Sequence, residues 1–205
     1  MTFPMKYLIQ CLMSIAVCTI TGCTIFSTRD PEDPTSARSS FIPPTSAQLV
    51  IGNLKNAILE KNTENYIQCL SDTTKGATTP FVFEPSLSVS ALYPSLFLQW
   101  NVGKERQAFQ SLMNTSASDA TPALLFINDR YDVTTPDSTV FQAEYVLTVP
   151  HRVQTIPTQV RGYIRLTVAP QTSGLWSIVR WADSSPTQSD TVNSTWSLFK
   201  AQFSN

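Results

Sequence analysis

Three runs in the last third of the chain constrain its fold more than anything else. Phe141, Ala143, Tyr145, Leu147 and Val149 alternate with Gln142, Glu144 and Thr148; Val160, Gly162, Ile164, Leu166 and Val168 alternate with Arg161, Tyr163, Arg165 and Thr167. After a turn over residues 170–174 comes a third run, from Leu175 to Asp183, with apolar Trp176, Ile178, Val179 and Trp181. Side chains of a strand point alternately to its two faces, so period two means strands with one covered face. Short connections make these strands an antiparallel meander. A sheet with one apolar face must find a partner layer, and the chain upstream supplies it.

That layer is helical. Thr45 or Ser46 caps a first helix, whose Val50, Leu54, Ala57, Ile58 and Lys61 fall on one stripe, with the Lys61 stem lying along it. Thr63 caps a second, carrying Tyr66, Ile67 and Leu70. A third spans residues 104–113, with Ala108, Phe109, Leu112 and Met113 inward. Residues 123–128 form a compact apolar strand, and Phe81, Val82 and Phe83 a brief one; residues 86–100, broken by Pro94, fit no element. Trp196, Leu198, Phe199 and Phe203 mark a closing amphipathic helix. Helices followed by long antiparallel strands make an α+β domain, with the helices on one face of a curved sheet.

The other end of the chain speaks of place. Lys6 precedes the apolar run 7–17, and the segment closes on Ile20-Thr21-Gly22-Cys23. A basic start, a short apolar core and small residues at a cleavage point are the layout of a secretory leader, and the run is too short to span a bilayer. Residues 24–45 interleave prolines with serines and the charged knot Arg29 to Asp33, with no hydrophobic periodicity. This predicts a disordered tether reaching on the order of 25 Å. The expected division is a leader over 1–22, a linker over 23–45 and one domain over 46–205.

Composition narrows the function. With 14 Lys and Arg against 15 Asp and Glu, no basic excess exists to neutralise phosphates, so nucleic acid is not an expected partner. Charged residues are only 14%, against about 25% in ordinary soluble domains. Of the four cysteines, Cys11 and Cys18 leave with the leader and Cys69 remains in an apolar helical patch, where a packed thiol is the expectation. His151 is the only histidine, so no histidine-based metal site or triad can be assembled. Asp129, Asp132 and Asp137 lack the spacing of a calcium loop and read as a solvated turn. No cofactor and no metal is expected.

Three sets of residues remain as candidates. Tyr66, Trp100, Tyr145, Trp176 and Trp181 are large aromatics of the kind that fill a domain's core, and the alternative is that they line the mouth of a pocket for an apolar or sugar-like ligand. Glu144, Arg161, Tyr163 and Arg165 occupy the polar sheet face, where Glu144 can sit across from an arginine and the face can dock a protein partner or a second copy. Asp183, beside Trp181, is the one carboxylate an apolar environment could turn into a general base, although Asp183-Ser184-Ser185-Pro186 also reads as a turn.

The segment Ile20-Thr21-Gly22-Cys23 resembles the lipobox of bacterial lipoproteins. That resemblance implies a diacylglycerol on the Cys23 thiol, an acylated amino terminus after cleavage, and a membrane partner through the lipid. Thr24 replaces the aspartate that retains many enterobacterial lipoproteins in the inner membrane, which leans the expectation to the outer membrane. The paired helices over 46–71, the meander and the closing Trp176-x-Ile178-x-x-Trp181-x-Asp183 are similar to the nuclear transport factor 2-like, or cystatin-like cone, superfamily. Some members use a carboxylate in the cone, and the outer sheet face often serves as an interface. The combined expectation is a lipid-anchored, non-catalytic envelope protein that binds a small ligand or a partner. A structural lipoprotein acting through its sheet, or a carboxylate enzyme of the cone, are the alternatives.

Overall fold

The computed structural model describes residues 39–186 and 194–204. The leader, Cys23 and the tether up to residue 38 therefore lie outside the described residues.

Helix α1 (Ala47–Leu59) opens at Ser46, whose Oγ accepts the Leu49 N–H at 3.4 Å, and buries Val50, Ile51, Leu54, Ala57 and Ile58. Lys61 does not continue its stripe: at φ 54° it leaves the helix, and its Nζ donates to the Ala117 carbonyl at 2.7 Å. The second cap is Asn62 rather than Thr63, accepting the Asn65 N–H at 3.0 Å ahead of α2 (Thr63–Gln68). The chain is also held earlier than expected. Asn53 brackets Ile42, accepting its N–H and donating to its carbonyl, and the Trp176 N–H donates to the Pro44 carbonyl at 2.7 Å.

A short 3-10 turn (Thr73–Lys75) leads to β1 (Val82–Glu84), α3 (Leu87–Leu92) and α4 (Val102–Thr115). Then come β2 (Ala123–Thr134), β3 (Thr139–Thr148), β4 (Gln159–Pro170), β5 (Trp176–Ser184) and α5 (Trp196–Phe203). The sheet runs β1-β5-β4-β3-β2, antiparallel throughout except for the parallel pair β1–β5. The expected meander is β3–β4–β5. β2 outlasts residue 128 because a register shift between Ile127 and Arg130, with Asn128 at φ 52°, lets the strand bend and resume.

A bulge in β5 sets the interior. Ile178 pairs with Val168 but Arg180 pairs with Thr167, so β5 carries one residue more than β4 there. The extra residue flips the alternation, and Ile178, Trp181 and Asp183 all face inward and are buried. That is why the apolar spacing between Ile178 and Trp181 is three rather than two. The residues that fit no element, 86–100, form α3 and two turns, which bury Val89 and pack Phe97 and Trp100 on the core. Finally, α5 packs against α4, α3 and β4, between the helices and the inner face of the sheet.

Candidate functional site

Two polar knots sit inside the space that helices and sheet enclose. The first centres on Glu105 of α4, 1% exposed. Tyr66 Oη donates to its Oε1 at 2.6 Å and Trp100 Nε1 to its Oε2 at 2.6 Å, while Lys200 Nζ of α5 pairs with Oε1. Lys200, 3% exposed, is also caged by rings: its Nζ lies 4.4 Å from the Phe83 centroid, 4.1 Å from Trp181 and 5.8 Å from Trp196. A buried charge is tolerated only when paired, and the negative ring faces add attraction where water is excluded. Burial lowers the Lys200 pKa and the Glu105 carboxylate opposes that shift; burial raises the Tyr66 pKa, with Glu105 adding to it.

The second knot centres on Asp183, 4% exposed. Tyr145 Oη donates to its Oδ1 at 2.7 Å, and Ser197 donates to its Oδ2 through the backbone N–H at 2.7 Å and through the hydroxyl. The Trp196 N–H donates to Tyr145 Oη at 2.6 Å. Helix α5 has no side-chain cap of its own, because Thr195 Oγ1 meets Ser86 Oγ at 2.9 Å instead. Asp183 and Tyr145 therefore cap it from the sheet. Burial raises the Asp183 pKa, and the bonds from Ser197 and Tyr145 oppose it. Gly162 makes room for this arrangement. It pairs with Tyr145 across the strands, and a Cβ there would stand 2.5 Å from the Ser184 carbonyl and 2.8 Å from Tyr145 Oη.

Chemically the two knots are closed. A general base needs a lone pair facing a substrate, yet both oxygens of Glu105 and of Asp183 are engaged by donors of the same chain. The free space beside Glu105, Trp196 and Lys200 is about 10 Å³, room for about one water. Four of the five pocket aromatics, Tyr66, Trp100, Tyr145 and Trp181, do come together here, but as packed interior rather than as the walls of an open mouth. Trp176 lies apart, half-buried in a surface groove with Phe41 and Leu70.

On the outer sheet face, Glu144 stands opposite Tyr163 rather than an arginine; Arg165 faces Gln142 and Arg161 faces Val146. Tyr163 Oη donates to Glu144 Oε1 at 3.4 Å. The tools of chemistry are packed elsewhere too. Cys69 is buried, and burial pushes its thiol up to about 12. His151 is half-buried, its ring edge-on to Phe199 and Phe203 at 5.9 and 5.4 Å. Asp132 is bound to Arg130 and Gln142. Among the described residues no three metal-ligating side chains converge, and no helix is long and apolar enough to cross a membrane.

Sequence reasoning missed Glu105 and Lys200. The signal was present: Glu105 shares its helical stripe with Ala108, Phe109, Leu112 and Met113, and Lys200 shares its stripe with Trp196, Phe199 and Phe203. Two opposite charges on two apolar stripes are a buried pair in waiting.

No protein-family model matches the chain, and no curated protein matches it. Solved structures do. A nuclear transport factor 2-like superfamily protein from Salmonella enterica serovar Typhimurium aligns over 69% of this chain and 89% of its own, at 12% identity and a TM-score of 0.50. A ketosteroid isomerase-like protein from Erwinia carotovora atroseptica aligns over 68% and 93%, at 12% identity and a TM-score of 0.47. A nuclear transport factor 2-like protein with a cystatin-like fold from Novosphingobium aromaticivorans aligns over 69% and 80%, at 10% identity and a TM-score of 0.42. Identity this low speaks of fold alone: the domain has the nuclear transport factor 2-like cone fold.

Proposed function

We propose that this chain is a lipid-anchored protein of the bacterial cell envelope, on the outer membrane, whose domain is non-catalytic and binds a small ligand or a partner protein at its surface. The observation that carries the mode of action is the filled cone. Helix α5 occupies the space between helices and sheet, and its Lys200 and capped N-terminus consume the carboxylates that an enzyme of this fold would need free. Support for the anchor is the Ile20-Thr21-Gly22-Cys23 segment. Anchoring makes weak recognition useful, because it holds the domain at high local concentration along the membrane.

The test is metabolic labelling with a palmitate analogue of cells making the full-length protein and Cys23→Ala. Label in the first and none in the second is expected. An unlabelled wild-type protein overturns the anchor.

A second reading, assembly through the outer sheet face, is favoured by the exposure of Leu125, Ile127 and Tyr163. They fall in two adjoining cross-strand rows, Ile127–Glu144–Tyr163 and Leu125–Val146–Arg161. Sedimentation in detergent decides it: a dimer that Tyr163→Asp converts to monomer supports this reading, and a wild-type monomer ends it.

A further inference from the structure

We infer that the uncharged segment around α3, residues 85–103, is a membrane-docking surface by which the domain lies on the phospholipid bilayer. The inference rests on the reading of the chain as lipid-anchored, and it gives the anchored domain an orientation.

Residues 85–103 carry no charge, nineteen in a row and the longest such run from residue 39 onward. Leu87 is 86% exposed, Leu98 80% and Leu92 58%, the three most exposed large apolar side chains among the described residues, and all three fall in this run. A single exposed leucine is ordinary, but three within twelve residues mark a contact surface. Leu87 and the equally open Ala91 lie one turn apart on α3, across from the buried Val89. The polar groups beside these leucines are satisfied from within the segment. Ser90 Oγ donates to the Leu87 carbonyl at 2.9 Å, and the N–H groups of Ser90, Tyr93, Leu96 and Trp100 donate to carbonyls three or four residues back. Backbone bonded in this way does not depend on water, which is the condition for meeting an apolar phase.

The tether names the occupant. Fifteen residues separate Cys23 from Ser39, the first described residue. A chain of that length spans on the order of 20 Å and at full stretch about 55 Å, against roughly 40 Å for the width of a domain this size. A chain lipidated at Cys23 therefore keeps the domain within about one diameter of the bilayer. The end of the tether also connects to the leucine segment. Asn65 Nδ2 donates to Ser39 Oγ at 2.6 Å, the adjacent Glu64 of α2 pairs with Arg106, and Arg106 belongs to α4, which begins two residues past Trp100. A second protein fits this surface poorly. Three leucines offer a few hundred Å², well short of the roughly 800 Å² per partner that a stable protein interface buries. A bilayer asks for less, because the acyl chains supply the affinity and the leucines need only orient the domain.

The test places the environment-sensitive dye NBD on Leu98→Cys in the full-length protein, purified with its lipid and reconstituted in vesicles of phosphatidylethanolamine and phosphatidylglycerol. Asp129→Cys, on β2 at the opposite edge of the sheet from β1, is the control. Doxyl-labelled phospholipid is expected to quench at least about half of the emission at position 98, at low and high salt alike, and almost none at 129. Leu87→Asp combined with Leu92→Asp is expected to abolish the quenching at 98. All these side chains are exposed, so the substitutions leave the core intact. Equal quenching at 98 and 129, quenching at 98 untouched by the two aspartates, or quenching lost in high salt would each overturn the proposal. So would a blue-shifted but unquenched dye at 98 in a protein that sediments as a dimer, which would assign the surface to a second copy. Flotation separates this surface from its premise. A chain that floats with the vesicles and leaves position 98 unquenched keeps its anchor and loses the surface; a chain that does not float loses the anchor and the surface with it.

Discussion

Lys200 and Glu105 show how much a single position can decide. Each charge is tolerated inside because the other is there, with Tyr66 and Trp100 completing the carboxylate and three rings framing the ammonium. Removing one partner strands the other, at a cost of about 3–5 kcal/mol; removing both leaves a site that apolar packing fills at little cost. Lys200→Met alone is therefore expected to lower the urea midpoint strongly, and Lys200→Met with Glu105→Gln to restore most of it. If the double variant falls as far as the single one, the pair is not the unit described. The pH dependence follows from the lowered Lys200 pKa. Below the ordinary 10.5, the unfolded chain binds this proton more tightly than the folded one. Stability from this group therefore rises with pH through the lowered native value and levels off at 10.5. The wild type should gain on the double variant across that alkaline window, read as the difference in their urea midpoints.

Among the elements, α5 sets what the domain can do, and the sheet is shaped to receive it. Tyr145 reaches both Asp183 and the Trp196 N–H only because Gly162 has no side chain beneath it. Gly162→Ala forces a contact that neither the Ser184 carbonyl nor the tyrosine can yield freely, at a cost of about 1–3 kcal/mol for overpacking. The urea midpoint should drop accordingly; an unchanged midpoint would mean Tyr145 does not lie over Gly162. Most elements were legible, because β3 and β4 alternate plainly and α1 and α4 carry continuous stripes. Residues 86–100 were not, since α3 is too short for a periodic signal and leaves Leu87 86% exposed. The closing helix could be read from Trp196, Phe199 and Phe203, but not its destination. Which surface an amphipathic helix covers depends on spaces that only the assembled sheet defines. Four of the five aromatics singled out in the sequence meet around α5, as the core-packing reading of them has it.

At the scale of the whole domain, the C-terminal helix α5 occupies the space between the helices and the inner face of the sheet and leaves about 10 Å³ free beside Glu105. Activity, if it came from the cone, would need α5 to leave, breaking the Lys200–Glu105 pair and the Asp183 cap together. On the proposed reading, recognition falls to the surface, the outer sheet face included. The central claim is that α5 is a fixed part of the core. Hydrogen exchange of the full-length protein in detergent tests it most directly, followed at the amides of Trp196, Ser197 and residues 199–203. The account predicts that these amides exchange as slowly as those in the middle of β4, and only through global unfolding. Exchange at the rate of a free peptide, with β3 and β4 still protected, would mean that α5 stands off the domain and the cone is open.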